Sequence, residues 1–376
     1  MIRTTRAACL PFLCLTLLGQ VAHAQLKPEM VSNATLAEPT PGWFLVKTNE
    51  GSYIFDGDSG EMQGLISHNW YTTAVVTVPS RKESYHVESW YTKHVRGERN
   101  DVITVTDMTD LSPKAEIDIP DKAGALDFRH HIGLLGDERH LVVFNMTPAQ
   151  SVSIVDVVDR QFDGEISTPG CAIIMPTGQR AFLMICGDGR LQLITLDENG
   201  KEASRNRTEP FFVVEEDPVY DKPVETETGW LLVSHEGMAY DVSVSGTRIN
   251  VSRPWSLLTD EDKDQEWRPG GAQLFTVHRG SSLLYALMHQ GQVNTHHEPG
   301  TEIWVFDTER KKRVGRLTLE VAATHLLSSQ ESSPKLYVFD EDNKLGIYDG
   351  HTLKLLRTIE NPGPGPGLLQ LLARHD

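Results

Sequence analysis

The sequence lacks several features that mark membrane-spanning, nucleic-acid-binding or nucleotide-binding proteins. After residue 24, no run of residues is apolar enough to cross a bilayer. Positive charge is scarce, since 35 Lys and Arg stand against 52 Asp and Glu. The resulting formal charge of −17 disfavours binding to nucleic acid or to an anionic membrane. There is no P-loop and no Gly-x-Gly-x-x-Gly segment that opens a helix.

The long apolar stretch at the N-terminus predicts a secretory signal peptide over residues 1–24. Arg3 and Arg6 supply the positive start, residues 7–18 the apolar core, and residues 22–24 a small-x-small cleavage site before Gln25. The apolar run is shorter than the roughly 20 residues of a spanning helix, which disfavours the alternative of a membrane anchor. We therefore expect export into an oxidising compartment.

Only two cysteines, Cys171 and Cys186, remain once the leader is removed. They flank a predicted hairpin whose turn spans residues 176–179, which would bring their sulfur atoms roughly opposite each other. We predict a structural disulfide that contributes about 3 kcal/mol in the chain-entropy model. A redox-active role is disfavoured because the two residues do not form a Cys-x-x-Cys motif.

The chain contains seven copies of one unit, in which an apolar strand is followed by an aspartate, a polar turn and a second strand. In the clearest copy, residues 303–317, Trp304 suits a half-buried strand and Asp307 favours a turn because its side chain can bond to nearby backbone groups. The aspartates of the seven copies are Asp56, Asp107, Asp156, Asp197, Asp241, Asp307 and Asp349.

These aspartates are separated by 51, 49, 41, 44, 66 and 42 residues, and a four-stranded propeller blade occupies about 40 to 50 residues. We therefore predict an all-β fold, a single seven-bladed β-propeller over residues 43–376, preceded by a polar N-terminal arm over residues 25–42. Residues 368–372 are expected to return to the first blade and close the ring. The oversized interval contains an insertion, residues 253–271, of the kind that maps to a functional face.

Two acidic or serine-containing motifs are better explained as structure than as chemistry. Residues 57–60, Gly-Asp-Ser-Gly, match the tetrapeptide around the nucleophile of trypsin-like proteases but occupy the turn of the first repeat. Asp260, Asp262 and Asp264 reproduce the opening spacing of an EF-hand calcium loop. However, Gln265 and Gly271 stand where that loop requires Gly and Glu.

Histidines are frequent but do not form a recognisable metal frame. His130-His131 and His296-His297 are adjacent pairs, and adjacent side chains on a strand point to opposite faces. His289 stands alone, and no Glu-x-x-His or Cys-x-x-Cys motif supports any of them. The residues therefore predict no catalytic, cofactor-binding or metal-binding set within this chain.

Several stretches resemble the heavy subunit of the bacterial quinoprotein amine dehydrogenases, which include methylamine and aromatic amine dehydrogenases, with the aromatic branch most similar. The resemblance rests on residues 96–107, 151–157, 184–189 with Cys171, 253–271, 277–279 and 302–308. It covers most of the chain after the leader, in order. It also supports the predicted propeller.

The resemblance implies a periplasmic, non-catalytic scaffold subunit in an assembly of two heavy and two light chains. The light subunit would carry tryptophan tryptophylquinone, oxidise a primary amine to an aldehyde, and pass electrons to a blue-copper protein of the azurin or amicyanin type. The heavy chain would bind no cofactor itself. The alternative is a stand-alone periplasmic propeller that binds a ligand or protein without a redox role.

The insertion at residues 253–271 carries much of the family signal, so we expect the light-chain interface near it. Tryptophan and arginine are the residue types that most often anchor interfaces. The candidate interface residues are Trp255, Trp267, Arg268, Pro269, Gly270 and Gly271.

Overall fold

The computed structural model describes residues 35–372. The predicted signal peptide and residues 25–34 of the predicted arm lie outside the described residues, as do residues 373–376. Within this range the chain forms 29 β-strands, one α-helix, and three 3-10 helices at Pro79–Arg81, Arg129–His131 and Arg279–Ser281. No helix in the described part of the chain is long and apolar enough to cross a membrane.

Within each sheet the strands are antiparallel, and most of them pair with the strand that precedes or follows them in the chain. The first sheet contains β1 (Trp43–Lys47), β2 (Ser52–Asp56) and β3 (Met62–Ile66). The second contains β4 (Val76–Val78), β5 (Glu83–Tyr91), β6 (Arg99–Asp107) and β7 (Pro113–Ile119). The third contains β8 (Ile132–Leu134), β9 (His140–Asn145), β10 (Ser151–Asp156) and β11 (Gln161–Ser167). The fourth contains β12 (Cys171–Thr177), β13 (Ala181–Cys186), β14 (Leu191–Leu196) and β15 (Glu202–Arg207).

The second half of the chain contains a five-stranded sheet and a larger one. The fifth sheet contains β16 (Val224–Thr226), β17 (Gly229–Val233), β18 (Met238–Ser245), β19 (Arg248–Val251) and β20 (Trp255–Ser256). The helix α1 (Asp260–Asp264) follows. The sixth sheet contains β21 (Trp267–Pro269), β22 (Phe275–His278), β23 (Leu283–Gln290), β24 (Gly300–Asp307), β25 (Lys312–Ser328), β26 (Lys335–Asp340), β27 (Leu345–Asp349) and β28 (Leu355–Ile359). The last strand, β29 (Leu368–Leu371), joins the first sheet.

The fold is an all-β propeller, but the prediction of seven blades is wrong. The described residues form five separate blades of four or five strands and one eight-stranded sheet. The cause is β25, whose 17 residues run from one repeat into the next. Its first part pairs with β24 and its last part with β26, so the two repeats around Asp307 and Asp349 share one hydrogen-bonded sheet.

Six of the seven repeat aspartates cap the turn that follows their strand. The carboxylate of Asp307, for example, accepts a hydrogen bond from the backbone N–H of Arg310 at 2.8 Å. Asp56, Asp107, Asp156, Asp197 and Asp349 do the same for their own turns. Asp241 differs, because it lies inside β18 and its carboxylate binds Ser252 and Lys311 instead.

The structure contains the predicted disulfide between Cys171 and Cys186. The two residues lie directly opposite each other where β12 and β13 pair. Both are buried at 1 % exposure and belong to the apolar cluster between the third and fourth sheets. The disulfide therefore cross-links the hairpin at which the predicted turn reverses the chain.

The ring closes as the sequence predicts, because β29 pairs with β1 through Leu368 to Leu371. Gln273 reinforces this closure from the sixth sheet. Its side-chain amide donates to the carbonyls of Leu326 and Leu369, at 2.8 and 3.0 Å, and its oxygen accepts from the N–H of Leu369 at 2.9 Å. One buried glutamine thus joins β25 of the sixth sheet to the closing strand of the first.

We expect the substitution Gln273→Leu to lower the free energy of unfolding by about 3 kcal/mol, because it leaves the buried N–H of Leu369 and the two carbonyls without their partner. Chemical denaturation of the purified chain measures this change. Gln179→Leu, at an exposed turn, is the matched control and should change stability little. Equal stability of the two variants would show that the amide does not stabilise closure.

Candidate functional site

The long connections of the propeller lie on one face. We call this end, opposite the Asp turns, the loop face. In each repeat the second and third strands are joined there, and the connections 92–98 and 291–299 are the longest of these joints. The connection 208–223 and the insertion 253–271 also lead from an outer strand into the next repeat. Since binding residues are usually carried on loops that a rigid scaffold positions, the loop face is the candidate functional site.

The six predicted interface residues are all buried within this chain. Trp255 lies in β20, while Trp267, Arg268 and Pro269 form β21; Gly270 and Gly271 follow. Trp255 and Trp267 belong to the apolar cluster of the fifth and sixth sheets. In the structure, therefore, these side chains stabilise the insertion, and the exposed surface of this region is formed by other residues.

Arg268 joins three connections of the loop face. Its Nε donates to the carbonyl of Gly291 at 2.7 Å, and its Nη1 pairs with the carboxylate of Glu236 at 2.9 Å. Gly291 begins the long connection 291–299, and Glu236 lies in the hairpin of the fifth sheet. The guanidinium is almost fully enclosed, with 9 % of the residue exposed. Arg268 thus fixes the position of two loops relative to the insertion.

The connection 291–299 covers the glycines of the insertion. The N–H of Gly271 donates to the carbonyl of His296 at 3.2 Å. A side chain at position 270 would collide with His289 and with the carbonyl of Glu298, since a Cβ there would lie 2.4 and 2.6 Å from them. Gly270 is therefore required for close packing of this connection.

Aromatic rings stack where the fifth and sixth sheets meet on the loop face. His296 stacks on His235 with ring centroids 4.2 Å apart, and Tyr220 lies 4.5 Å from His235. Burial, together with the neighbouring His296, lowers the pKa of His235 to about 4. Such an imidazole is neutral at pH 7 and only weakly basic, so the stack supplies packing rather than a general base.

A bulge places two charges at the mouth of the central channel. Val219 bridges Ser234 whereas Val224 pairs with Leu231, so two additional residues are inserted on one strand. The inserted segment includes Asp221 and Lys222, whose side chains pair with each other at 2.8 Å. The charge of Lys222 reaches His325, and both burial and this charge lower the pKa of that imidazole, to about 4. Neither residue belongs to a recognisable sequence motif.

A second ion pair, between Lys47 and Asp127, lies on the same side of the channel. Lys47 ends β1 and its side chain is fully buried, while Asp127 precedes β8 and is partly exposed. Burial lowers the pKa of the Lys47 ammonium, and Asp127 partly offsets this effect. A Cβ on Gly367 would lie 2.5 Å from the Asp127 carboxylate, so the closing segment also contacts this pair.

The channel itself narrows to a cavity of about 180 Å³ that is lined by the inner strand of every repeat. Arg279 and Glu225, at the packed strands β22 and β16, approach within 3.7 Å at its wall. His130 donates its Nε2–H to the carbonyl of Pro223 at 3.1 Å, and burial lowers its pKa to about 3. Gln330 donates to the carbonyl of Val277 within the sixth sheet, whereas Gln370, in the first sheet, donates to the carbonyl of Val75 beside the second. Polar groups in this cavity thus join strands both within a sheet and between sheets.

The serine, aspartate and histidine motifs of the sequence form hydrogen bonds that stabilise local structure. Ser59 donates its hydroxyl to Asp56 within the first turn. The Asp262 carboxylate forms a capping box with Thr259 and binds Arg313, so it orders α1 rather than facing a calcium loop. His130 and His131 bond to different backbone carbonyls. The described residues contain no group of three or more His, Cys, Asp or Glu that could hold a metal ion.

An exposed apolar patch that the sequence did not predict lies on the loop face of the second and third sheets. Its members are Trp70, Trp90, Val95, Leu126 and Met146, which are between 42 and 58 % exposed. Two of the seven tryptophans are thus at the surface. The sequence contains no signal for this exposure, because hydrophobic periodicity does not show whether an aromatic side chain lies in the core or on the loop face.

Comparison with protein families shows where this architecture recurs. The family model described as methylamine dehydrogenase heavy chain matches residues 37–372. The chain belongs to the methylamine dehydrogenase heavy chain family. The match includes β1 to β29 and the full loop face, so it covers the whole described propeller.

Two curated relatives carry the same family name. The methylamine dehydrogenase heavy chain of Methylophilus methylotrophus is 27 % identical over 321 residues, which cover 84 % of this chain and 78 % of the relative. That of Methylorubrum extorquens is 26 % identical over 318 residues, which cover 84 % of this chain and 77 % of the relative.

Among solved structures, the Swd1 β-propeller domain of Myceliophteria thermophila superposes with a TM-score of 0.55. It is 8 % identical, covers 83 % of this chain and 94 % of its own, and supports the propeller fold alone.

The tryptophans of this heavy chain do not fit the tryptophan tryptophylquinone that the resemblance implies for the complex. Trp267 and Trp304 lie in contact, with ring centroids 5.1 Å apart. However, the guanidinium of Arg316 lies over both rings at 4.8 and 4.9 Å. The Trp304 N–H is bound by Glu302 at 2.7 Å. Both indoles are buried, so this pair is a packing element without access for an amine.

We expect Arg268→Ala to loosen the loop face of the heavy chain, since it removes the bonds to Gly291 and Glu236. Hydrogen exchange should accelerate in residues 234–237 and 291–299, and the free energy of unfolding should fall by about 2 kcal/mol. Arg253→Ala, at an exposed position of the same insertion, provides the control. Unchanged exchange in both connections would mean that Arg268 does not hold them.

We also expect the heavy chain to lose stability between pH 6.5 and pH 4. His68, His235 and His325 each have a folded pKa of about 4 because of burial, below the roughly 6.5 of the unfolded chain. The unfolded state therefore binds more protons in this window, and the free energy of unfolding falls as pH falls.

The variant His235→Phe tests this linkage, because it keeps a stacking ring among Tyr220, His296, Asp217, Asp221 and Lys222 but removes the titrating nitrogen. Between pH 6.5 and 5 its unfolding free energy should depend less steeply on pH, by up to about 1.4 kcal/mol per pH unit. Urea denaturation at several pH values measures both slopes. Identical slopes for the variant and the unsubstituted chain would contradict the assignment.

Proposed function

We propose that this chain is the non-catalytic heavy subunit of an exported amine dehydrogenase. A light subunit that carries tryptophan tryptophylquinone would oxidise primary amines to aldehydes. A blue-copper protein of the azurin or amicyanin type would accept the electrons. The observation that carries the proposal is the family match over residues 37–372, which spans the entire described propeller.

The chemistry of the loop face supports a scaffold role. Burial lowers the pKa of His235 and of His325 to about 4, so both imidazoles are neutral at pH 7. The charged groups at the channel mouth, Lys47 with Asp127 and Lys222 with Asp221, are paired. Arg268 is committed to holding loops. These groups position backbone segments, which is what a partner subunit requires from a rigid support.

The substrate belongs to the primary amines in this proposal. The sequence resemblance favours an aromatic amine, while the curated relatives are named for methylamine and share only about a quarter of their residues with this chain. Small pocket differences in a light subunit can change substrate preference by one to two orders of magnitude. Tests of activity therefore need amines of both kinds.

Location in the periplasm and an assembly of two heavy and two light chains complete the proposal. The Cys171–Cys186 disulfide supports export, because structural disulfides persist in oxidising compartments. Its position inside a buried cluster also fits a bond that stabilises the fold.

Purification of the native complex from its source, followed by a visible spectrum and amine-dependent reduction of a dye, tests this function. We expect a small second subunit, an absorbance from a protein-derived quinone, and turnover with phenethylamine or methylamine. The heavy chain expressed alone should not bind the amine productively and should not reduce the dye. Turnover by the isolated heavy chain would overturn the division of labour, and purification without any second subunit would favour the stand-alone propeller.

A further inference from the structure

The exposed apolar patch lies where the second and third sheets meet on the loop face. Trp70 and Trp90 flank a single backbone hydrogen bond, in which the N–H of Ser89 donates to the carbonyl of Tyr71 at 2.9 Å. The indole of each is about half exposed. Monomeric proteins seldom leave two neighbouring tryptophans in water, and such pairs mark interaction sites.

Arg99 connects the tryptophans to the third sheet. Its Nη2 donates to the hydroxyl of Ser89 at 3.1 Å and to the carbonyl of Ala123 at 2.7 Å. Residue 124 packs against Met146, and the N–H of Leu126 donates to the carbonyl of Gly124. Leu126 and Met146 therefore extend the apolar surface onto the next sheet. The residue after Leu126 is Asp127, the partner of Lys47, so the patch reaches the channel mouth.

The connection 92–98, on the tryptophan side of the patch, is basic although the chain as a whole is acidic. Lys93, Arg96 and His94 lie in the exposed connection 92–98 around Val95, and Glu98 is the only acidic residue of that connection. The full chain carries a formal charge of −17. A local surface of opposite sign to the rest of the molecule selects a partner whose contacting face is acidic.

The charge pattern argues against a second copy of this chain as the occupant. In a two-fold interface the same patch contacts itself, so Lys93 and Arg96 would face their own copies. Like charges placed opposite each other are repulsive. A different polypeptide, with an apolar centre and an acidic border, satisfies the patch without this conflict.

We propose that this patch is the anchor for the light subunit, with Trp70 and Trp90 as its central contacts and Lys93 and Arg96 as its electrostatic border. This inference rests on the proposed function, which supplies the partner. It also places docking on the second and third sheets rather than on the buried residues of the insertion. A light subunit bound there covers the side of the channel mouth that carries Asp127.

The test uses the heavy chain co-expressed with the small subunit of its complex, compared with a double variant Trp70→Ala/Trp90→Ala. We expect affinity for the small subunit to fall at least about 30-fold, as for central anchors of an interface, while the thermal midpoint of the heavy chain changes little. The matched control is Leu355→Ala/Leu356→Ala, which removes two equally exposed side chains from the outer strand β28. It should bind as the unsubstituted chain does.

A second variant, Lys93→Glu/Arg96→Glu, tests the border without changing any apolar contact. We expect weaker binding and a shallower dependence of affinity on salt than in the unsubstituted complex. Lys312→Glu, at an exposed position of β25, is its charge control and should leave both quantities unchanged.

Three results would overturn the inference. Retention of full affinity in both test variants would place the light subunit elsewhere and leave the proposed function intact. A change from dimeric to monomeric heavy chain, with the small subunit still bound, would identify a second copy as the occupant. Flotation of the heavy chain with anionic vesicles, abolished in the tryptophan variant, would identify a lipid surface. Absence of any small subunit from the unsubstituted complex is a separate result, and it would refute the proposed function itself.

Discussion

Pairing of β29 with β1 is the interaction on which the rest of the structure depends. Each sheet buries its faces against its neighbours, so a propeller with an open ring would expose the apolar side chains of the first and last repeats. Closure joins residues 43–47 to residues 368–371, which lie more than 300 positions apart. Ordering so long a loop costs conformational entropy that local contacts do not offset. Gln273 and Tyr337 help to offset this cost, because Gln273 bonds to the last strand and Tyr337 to the carbonyl of Gly42.

The junction between the first and second sheets shows how closure shapes the chemistry of the interior. Its apolar cluster has only six buried members, whereas the cluster of the fifth and sixth sheets has 25. Lys47, His86 and Glu88 are buried in the first two sheets, and neither ring nitrogen of His86 has a hydrogen-bond partner. Buried polar groups of this kind require partners or bound water. At this junction Glu88 accepts a hydrogen bond from the N–H of Asn69 at 2.6 Å, and Ser52 bonds to His68 at 3.0 Å, so polar contacts supplement a small apolar cluster.

Much of the fold could be predicted from sequence because its determinants are local. Strand periodicity, the aspartate turns and the Cys171–Cys186 hairpin each involve a few neighbouring residues, and the structure contains all three. Asp241 shows the limit, since the same residue type in the same pattern lies inside β18 and bonds to Ser252. The division of the last repeats into separate blades also has a non-local determinant. Whether β25 breaks between two repeats depends on its pairing with both β24 and β26.

The candidate site was harder to predict for a related physical reason. Residues that are conspicuous in a sequence, such as the Trp and Arg of the insertion, are also those that best hold a loop against a sheet, and the structure uses Trp267 and Arg268 in that way. A tryptophan that anchors a partner looks the same in sequence as one that packs in the core, because an indole can be covered either by its own chain or by another. What distinguishes Trp70 and Trp90 is their exposure beside a basic connection, a property of the folded surface. The insertion therefore builds the loop face, and the apolar patch is the part of that face left for another chain.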